Sequence, residues 1–476
     1  MNNMERRIDP DLRKGRETDQ KNEPEQRLDQ EHQRMFESLP PGELFLKCAV
    51  PSMISMAVTS LYTVADGIFV GRFIGSGALA AINLVMPFIM MSFALSDMIA
   101  AGSSVQISIR LGEKKGDEAN RIFSFCSLLI FAISCAMGAA GWLFAGPLVR
   151  LMGADETVTA LAVEYMRVYA VFSPGIMIFF ALDNYLRICG KVRYSMLMNV
   201  GISLLNIVLD ALFIAVWGWG IGAAALASCI SLMAGTVIGF APFLSRRLPL
   251  KLVRGRISLR MTGNILANGS SEFFSNISGS ALMVIMNTVL LRLGGAMAVA
   301  AFSIVMYIDS VVKSLLFGMA DSLQPAISYN YGAGNRSRMF AIEKRLLLAG
   351  AVLSMTVLLG LLLSGQHMIA LFLDGSDKSL IELSWRAMKL FSTSYLICWF
   401  GMIAGSFFTA LNRPVCSLTV AFGQTLVFPL LSLMTLPAVL GLDGVWLTGL
   451  AAGCMSALLA AVFFVRVQKT ACIRNI

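Results

Sequence analysis

Leu61-Tyr62-Thr63-Val64-Ala65-Asp66-Gly67-Ile68-Phe69-Val70-Gly71 ends an apolar run that covers residues 45–70. A bilayer crossing needs about 20 consecutive apolar residues, so the run reads as a membrane helix with a carboxylate inside it. An acidic side chain at the centre of such a helix costs roughly 2.5–3.5 kcal/mol on insertion scales. The pattern returns twice: Asp210 follows Asn206 by four residues in Gly201–Trp217, and Asp183 interrupts Ile176–Leu186. A cost of this size persists where a carboxylate lines a water-filled cavity, takes up a proton or holds an ion.

The rest of the chain fits the same environment. Of its 476 residues, 57% are hydrophobic and 14% charged, against about 25% charged in soluble proteins. Apolar runs predict twelve membrane helices, at 45–70, 78–108, 122–144, 157–187, 195–217, 220–244, 262–292, 297–329, 341–365, 381–411, 415–440 and 443–466. The net charge of +9 does not point to nucleic acid, because most Lys and Arg lie in short segments between these runs. Basic residues collect after every second span, as in Arg110, Lys114, Lys115 and Arg121, or Arg336, Arg338, Lys344 and Arg345. By the positive-inside rule both termini are expected in the cytoplasm and the protein in the cytoplasmic (inner) membrane. Residues 1–38 are polar and of mixed charge, so a disordered cytoplasmic tail is expected there, with no cleaved signal peptide. Residues 467–476 read as a second cytoplasmic tail.

Two His and nine scattered Cys, with no CxxC spacing, predict neither His-based catalysis nor a disulfide framework nor a transition-metal site. No constellation of an intramembrane enzyme is present, so a non-enzyme is expected.

The halves repeat. Ala80-Ala81, Val85-Met86, Ile107-Ser108 and Gly112 recur as Ala300-Ala301, Val305-Met306, Ile327-Ser328 and Gly332, all at an offset of 220. Six spans per half keep both repeats in one orientation, which predicts an all-α protein of two six-helix lobes about a pseudo-twofold axis along the membrane normal. The expected lobes are 39–244 and 262–466, joined by the basic segment 245–261, with a central cavity between them.

Asn206 and Asp210 share one helix face, which must point inward because lipid offers neither a partner. A carboxylate beside a carboxamide accepts a proton or a small cation. Pro51 lies fifteen residues before Asp66 and removes one helical hydrogen bond, so it is the candidate hinge.

Tyr62-Thr-Val-Ala-Asp66-Gly-Ile-Phe-Val-Gly71, Asn206-Ile-Val-Leu-Asp210-Ala-Leu-Phe-Ile and Gln324-Pro325-Ala-Ile-Ser-Tyr-Asn330-Tyr-Gly-Ala-Gly-Asn335 together resemble the first-, fifth- and eighth-span patterns of the multidrug and toxin extrusion (MATE) transporters. The resemblance runs from about Pro51 to the last span. It implies a cavity opening alternately to each side, and drug efflux driven by H⁺ or Na⁺. Asp66, Asn206 and Asp210 match the family's ion cluster; Ser228 falls where a Thr hydroxyl is common and Tyr165 where a Tyr is usual. Asp183 replaces an Asn of some members, which adds a third carboxylate to the expected ion site. Glu272 resembles an acidic position of some branches, including the MepA-type exporters. It is a candidate for substrate or coupling, as is Asn287, near the second-half counterpart of Asp66. Asp309 and Lys313, at i and i+4, read as a structural ion pair, and Asp97 and Asp321 carry little weight near the span ends.

The expected function is antiport of amphipathic, cationic compounds by a monomer with H⁺ or Na⁺ as its only cofactor-like partner. The alternative is a lipid-linked saccharide flippase of the same superfamily, disfavoured because the charges inside the spans are mainly acidic.

Overall fold

The computed structural model describes residues 34–151, 155–245, 248–370 and 378–473. Among these every regular element is a helix, and there are no strands. The first lobe holds α1 (Pro41–Phe69), α2 (Ser76–Gly112), α3 (Gly116–Leu151), α4 (Glu156–Ile188), α5 (Val192–Asp210) and α6 (Ile221–Leu244). The second begins with a 74-residue helical run, Leu259–Gly332, broken at Gly295 by φ 66°. Unbroken, such a run would extend about 110 Å, several times the roughly 30 Å of a hydrocarbon core. Its limbs 259–294 (α7) and 296–332 (α8) are therefore two crossings. Then follow α9 (Arg336–Ala370), α10 (Lys378–Ser392), which continues through a 3₁₀ turn into Cys398–Ala410 after a 43° bend, α11 (Pro414–Phe422) and α12 (Thr448–Ile473). A π-helical turn, Gly423–Val427, carries α11 on into Phe428–Leu440. The twelve crossings predicted from apolar runs are thus present, the tenth as a bent pair.

The backbone carries the repeat in more detail than the side chains. Among the described residues, left-handed φ values occur at Gly75, Lys114, Gly190 and Gly218, and again at Gly295, Gly334, Asn412 and Gly441. Taken in order, these pair at offsets of 220, 220, 222 and 223. Each of these four first-lobe turns has a turn of the same hand in the second lobe. Most are Gly, since a Cβ disfavours this conformation.

The lobes meet at the end of the bundle that carries both termini. α2 packs extensively against α7 and α8. A Cβ added to Gly112 would stand 2.1 Å from the Tyr329 carbonyl oxygen, and one on Gly332 would stand 2.2 Å from that of Ile109. Ile109 and Tyr329 are themselves 220 residues apart, so these contacts are reciprocal, as twofold symmetry requires. Farther along, Ser60 and Ser314 hydroxyls meet at 2.7 Å between α1 and α8.

Three expected boundaries change. The segment 34–38, expected to be disordered, forms a packed π-helical turn. Phe36 is 1% exposed and stacks on Tyr329 with ring centroids 5.6 Å apart. Its carbonyl accepts from Asn330 Nδ2 at 3.1 Å and Arg338 Nε at 2.8 Å, while the Tyr329 hydroxyl donates to Glu37 Oε1 at 2.9 Å. Met35 Sδ lies 2.9 Å from the place a Cβ on Gly190 would take, so this strap touches both lobes. One aromatic in a polar tail has no periodicity to reveal it; the partners lie about 300 residues away. Residues 1–33 of the expected tail lie outside the described residues. The linker 245–261 ends early, at the Ser258 cap of α7, whose Oγ accepts from Met261 N–H at 3.2 Å. Its backbone is pinned to α3, with Lys251 N–H donating to Asn120 Oδ1 and Val253 N–H to Ser124 Oγ, both at 2.8 Å. The expected tail from 467 continues α12 as far as Ile473.

Phe36→Ala is expected to cost roughly 3–5 kcal/mol, the range for a buried Phe truncation. A lowered thermal midpoint of the purified protein checks this.

Candidate functional site: carboxyl clusters in the two lobes

The first cluster lies wholly in the first lobe. α5 places Asn206 and Asp210 one turn apart on an inward face, where they are 2% and 0% exposed. α1 brings the half-buried Asp66 within hydrogen-bonding contact of Asp210. Asn206 is paired at both ends of its amide when Nδ2 donates to Asp210 Oδ2 at 3.2 Å and Oδ1 accepts from Ser228 Oγ of α6 at 3.1 Å. Tyr165 of α4, 6% exposed, and Tyr62, one turn before Asp66, stand close enough to feel both carboxyls. Five of the sequence-predicted residues, Asp66, Tyr165, Asn206, Asp210 and Ser228, are thus brought together. Tyr62 joins them; its place one helical turn from Asp66 was the available sign.

One oxygen of each carboxyl, Asp66 Oδ1 and Asp210 Oδ1, is buried without a hydrogen-bond partner among the described residues. Two carboxyls held in contact need a positive charge between them, a proton or a metal cation. The winding of both helices changes beside the pair. α5 passes into a π-helical turn, Ala211–Val216, immediately after Asp210, and α1 does so at Val70–Ile74. Such turns recur at functional sites because they displace side chains from the regular helical register.

Asp183 does not join this pair, which corrects the expected trio. Its Oδ2 meets Arg187 Nη2 at 2.5 Å, while Oδ1 accepts from Ser195 Oγ at 2.5 Å and Asn199 Nδ2 at 2.7 Å. Asn199 is eleven residues before Asp210, about 16 Å along α5. The physical reason is local: Arg187 follows Asp183 by one turn and captures it before any longer-range partner can. The second lobe has an uncharged version of this joint, with Thr409 meeting Ser417 and donating to the Gly405 carbonyl. Those positions lie 222 after Arg187, Ser195 and Asp183. Since breaking a buried ion pair costs roughly 3–5 kcal/mol, Asp183→Asn should lower the thermal midpoint of the purified protein. It should leave ion dependence of any activity intact at permissive temperature.

A second cluster sits where the lobes meet. Asp97 of α2, Glu272 of α7 and Asp321 of α8 converge, each half-buried. Asn276, one turn after Glu272, stands close to the Asp97 carboxyl across the lobe boundary. Arg187, 3% exposed and anchored by Asp183, faces Asp97 and Asp321. Asp97 and Asp321 carried little weight in the sequence because each stands alone on its own helix; packing of three helices makes the group. Glu272 therefore belongs to the interlobe cluster. Asn287 lies fifteen residues beyond it on α7, half-buried, with Oδ1 lacking a partner among the described residues. Pro51 is buried within α1, which stays helical from Pro41 to Phe69; the structure places no break in winding there.

A model of the MatE family matches residues 51–212 and 273–433. The chain belongs to the MatE family. The first matched segment carries Asp66, Asp97 and Asp210 and the second carries Asp321, while Glu272 falls one residue before the second. Among curated relatives, the multidrug export protein MepA of Staphylococcus aureus (strain bovine RF122 / ET3-1) is 24% identical, with 89% of this chain and 94% of that protein covered. An FAD transporter of Shewanella oneidensis is 28% identical, with 80% and 85% covered. Among solved structures, a MATE in complex with MaL6 superposes with TM-score 0.86 at 25% identity, covering 93% of this chain and 98% of that one. A MOP superfamily transporter from Pyrococcus furiosus, described as having reverse polarity of its binding pocket, gives TM-score 0.85 at 25% identity, covering 94% and 98%. This MatE-family protein is therefore a multi-pass membrane protein of the twelve-helix, two-lobe fold.

Proposed function

We propose that this protein is a cation-coupled antiporter that exports amphipathic, cationic compounds by alternating access. The observation that carries the reading is the contact between Asp66 and Asp210 inside the membrane. A proton suits this pair best, because the carboxyls already stand within one hydrogen bond of each other; Na⁺ is the other candidate. With the cation gone, two carboxylates in contact repel by about 4–5 kcal/mol at an effective dielectric of 20. That is ample to drive α1 away from α5. One charge crossing 100 mV supplies about 2.3 kcal/mol, enough for a gradient of roughly 50-fold.

The basic turns at the terminal end support a cytoplasmic placement of both termini. The lobes touch at that end, so the interlobe space of this conformation opens outward. Asp97, Glu272 and Asp321 form its acidic floor, suited to a cationic group and unsuited to a pyrophosphate. Relatives named as a multidrug exporter and as an FAD transporter support export of small molecules. One chain carries both clusters, so a monomer suffices.

The test uses proteoliposomes loaded with a fluorescent lipophilic cation, with H⁺ and Na⁺ gradients imposed separately. Transport driven by the H⁺ gradient alone is expected. Transport driven only by Na⁺ replaces the proton with Na⁺, and transport driven by neither ends the antiport reading.

A further inference from the structure

α8 exposes Ser303, Tyr307, Ser310, Lys313 and Phe317, at steps of three or four residues that fall on one helix face. A face of two hydroxyls, a phenol and an ammonium is unsuited to lipid, so it fronts the open space between the lobes. Asp321, one turn beyond Phe317, continues the face down to the acidic floor. Lys313 is held in place rather than free. Its Nζ lies 2.6 Å from Asp309 Oδ2 and its side chain is 48% exposed. Asp309 is itself fixed by the Tyr395 hydroxyl, which donates to Oδ1 at 3.0 Å from the bend of α10. An ammonium has three N–H donors. Asp309 takes one, and the exposed half of the side chain leaves the others facing the opening.

Lys313 and Asp321 are eight residues apart, about 12 Å along the helix, with the 42% exposed Phe317 ring between them. The wall thus presents a donor for an anion at one height, an aromatic surface below it, and a carboxyl cluster below that.

We propose that Lys313 is a specificity-determining residue that receives a carboxylate of the exported molecule while the cationic group of the same molecule rests on Asp97, Glu272 and Asp321. The preferred cargo is then an aromatic zwitterion with its charges about 10–12 Å apart, favoured over the same skeleton with the acid esterified. This rests on the export reading and narrows its substrate class.

The test is equilibrium binding to the purified full-length protein. The probes are a rigid aromatic amino acid bearing a tertiary ammonium and a carboxylate about 11 Å apart, and its methyl ester. Wild type is expected to bind the acid about tenfold more tightly than the ester. Lys313→Gln should bring that ratio close to one, and Lys313→Arg should retain it. Because Lys313→Gln leaves Asp309 buried beside an uncharged neighbour, Asp309→Asn/Lys313→Gln serves as the second variant, with the same expected ratio. Equal binding of acid and ester by wild type, or an undiminished preference in either folded Gln variant, overturns the proposal. Failure of wild type to transport a simple lipophilic cation in the proteoliposome assay would count against the export reading instead, since the binding ratio is read without transport.

Discussion

Asp210→Asn is expected to abolish the proposed cation-driven export while the protein still folds. Asn has nearly the shape of Asp, and Asn206 can still hydrogen-bond to the amide, so the packing of α5 against α6 survives. What is lost is the second carboxyl. Asp66 facing an amide has no partner to share a proton with and no charge to repel when the proton leaves. If that repulsion is about 4–5 kcal/mol, its removal costs more than a hundredfold in driven rate, at about 1.4 kcal/mol per tenfold. Thermal unfolding of the purified variant should match wild type within a few degrees. Driven export by well-folded Asp210→Asn protein at the wild-type rate would remove the pair from the mechanism.

The second large effect concerns the contact between lobes. A Cβ on Gly269 would stand 1.7 Å from the Met98 carbonyl oxygen, and one on Gly332 would stand 2.2 Å from that of Ile109. Both obstacles are backbone atoms, which cannot turn aside as a side chain can. Gly269→Ala or Gly332→Leu must therefore push α2 and the second lobe apart at the terminal end. Overpacking of this kind costs about 1–3 kcal/mol or more, enough to reverse two arrangements separated by a few kcal/mol. Export should fall to background. Spin labels on the α2–α3 and α8–α9 turns, around Lys115 and Asn335, should report a longer separation than in wild type. An unchanged distance with retained export would show that this contact does not set the conformation. The strap at Phe36 spans the same end, so its loss should act in the same direction as the glycine substitutions, though more weakly, because a side chain can be released without moving a helix.

The first carboxyl pair was legible because its members announce themselves within single helices: Asp66 and Asp210 interrupt apolar runs, and Asn206 precedes Asp210 by one turn. Residues that are costly in lipid draw attention one at a time. The same logic misplaced Asp183. A carboxylate inside an apolar run looks alike whether it faces a cavity or an Arg one turn away, and the run Ile176–Leu186 stops one residue short of Arg187. Asp97 and Asp321 show the opposite failure. Each carries little weight on its own helix, and their meeting with Glu272, which only the resemblance had singled out, depends on the angle at which α2, α7 and α8 pack.

Apolar period and length determined the twelve crossings and their pairing into repeats, because lipid leaves a backbone few ways to satisfy its hydrogen bonds. The repeat extends to the left-handed turns, at offsets of 220 to 223, and this pairing was shown by the backbone angles. Only the tertiary structure decided which carboxyls share a charge, which are held by an Arg, and where a tail residue such as Phe36 is buried. Those outcomes turn on contacts of a few ångströms between residues up to 300 apart in the chain, and local periodicity carries no record of them.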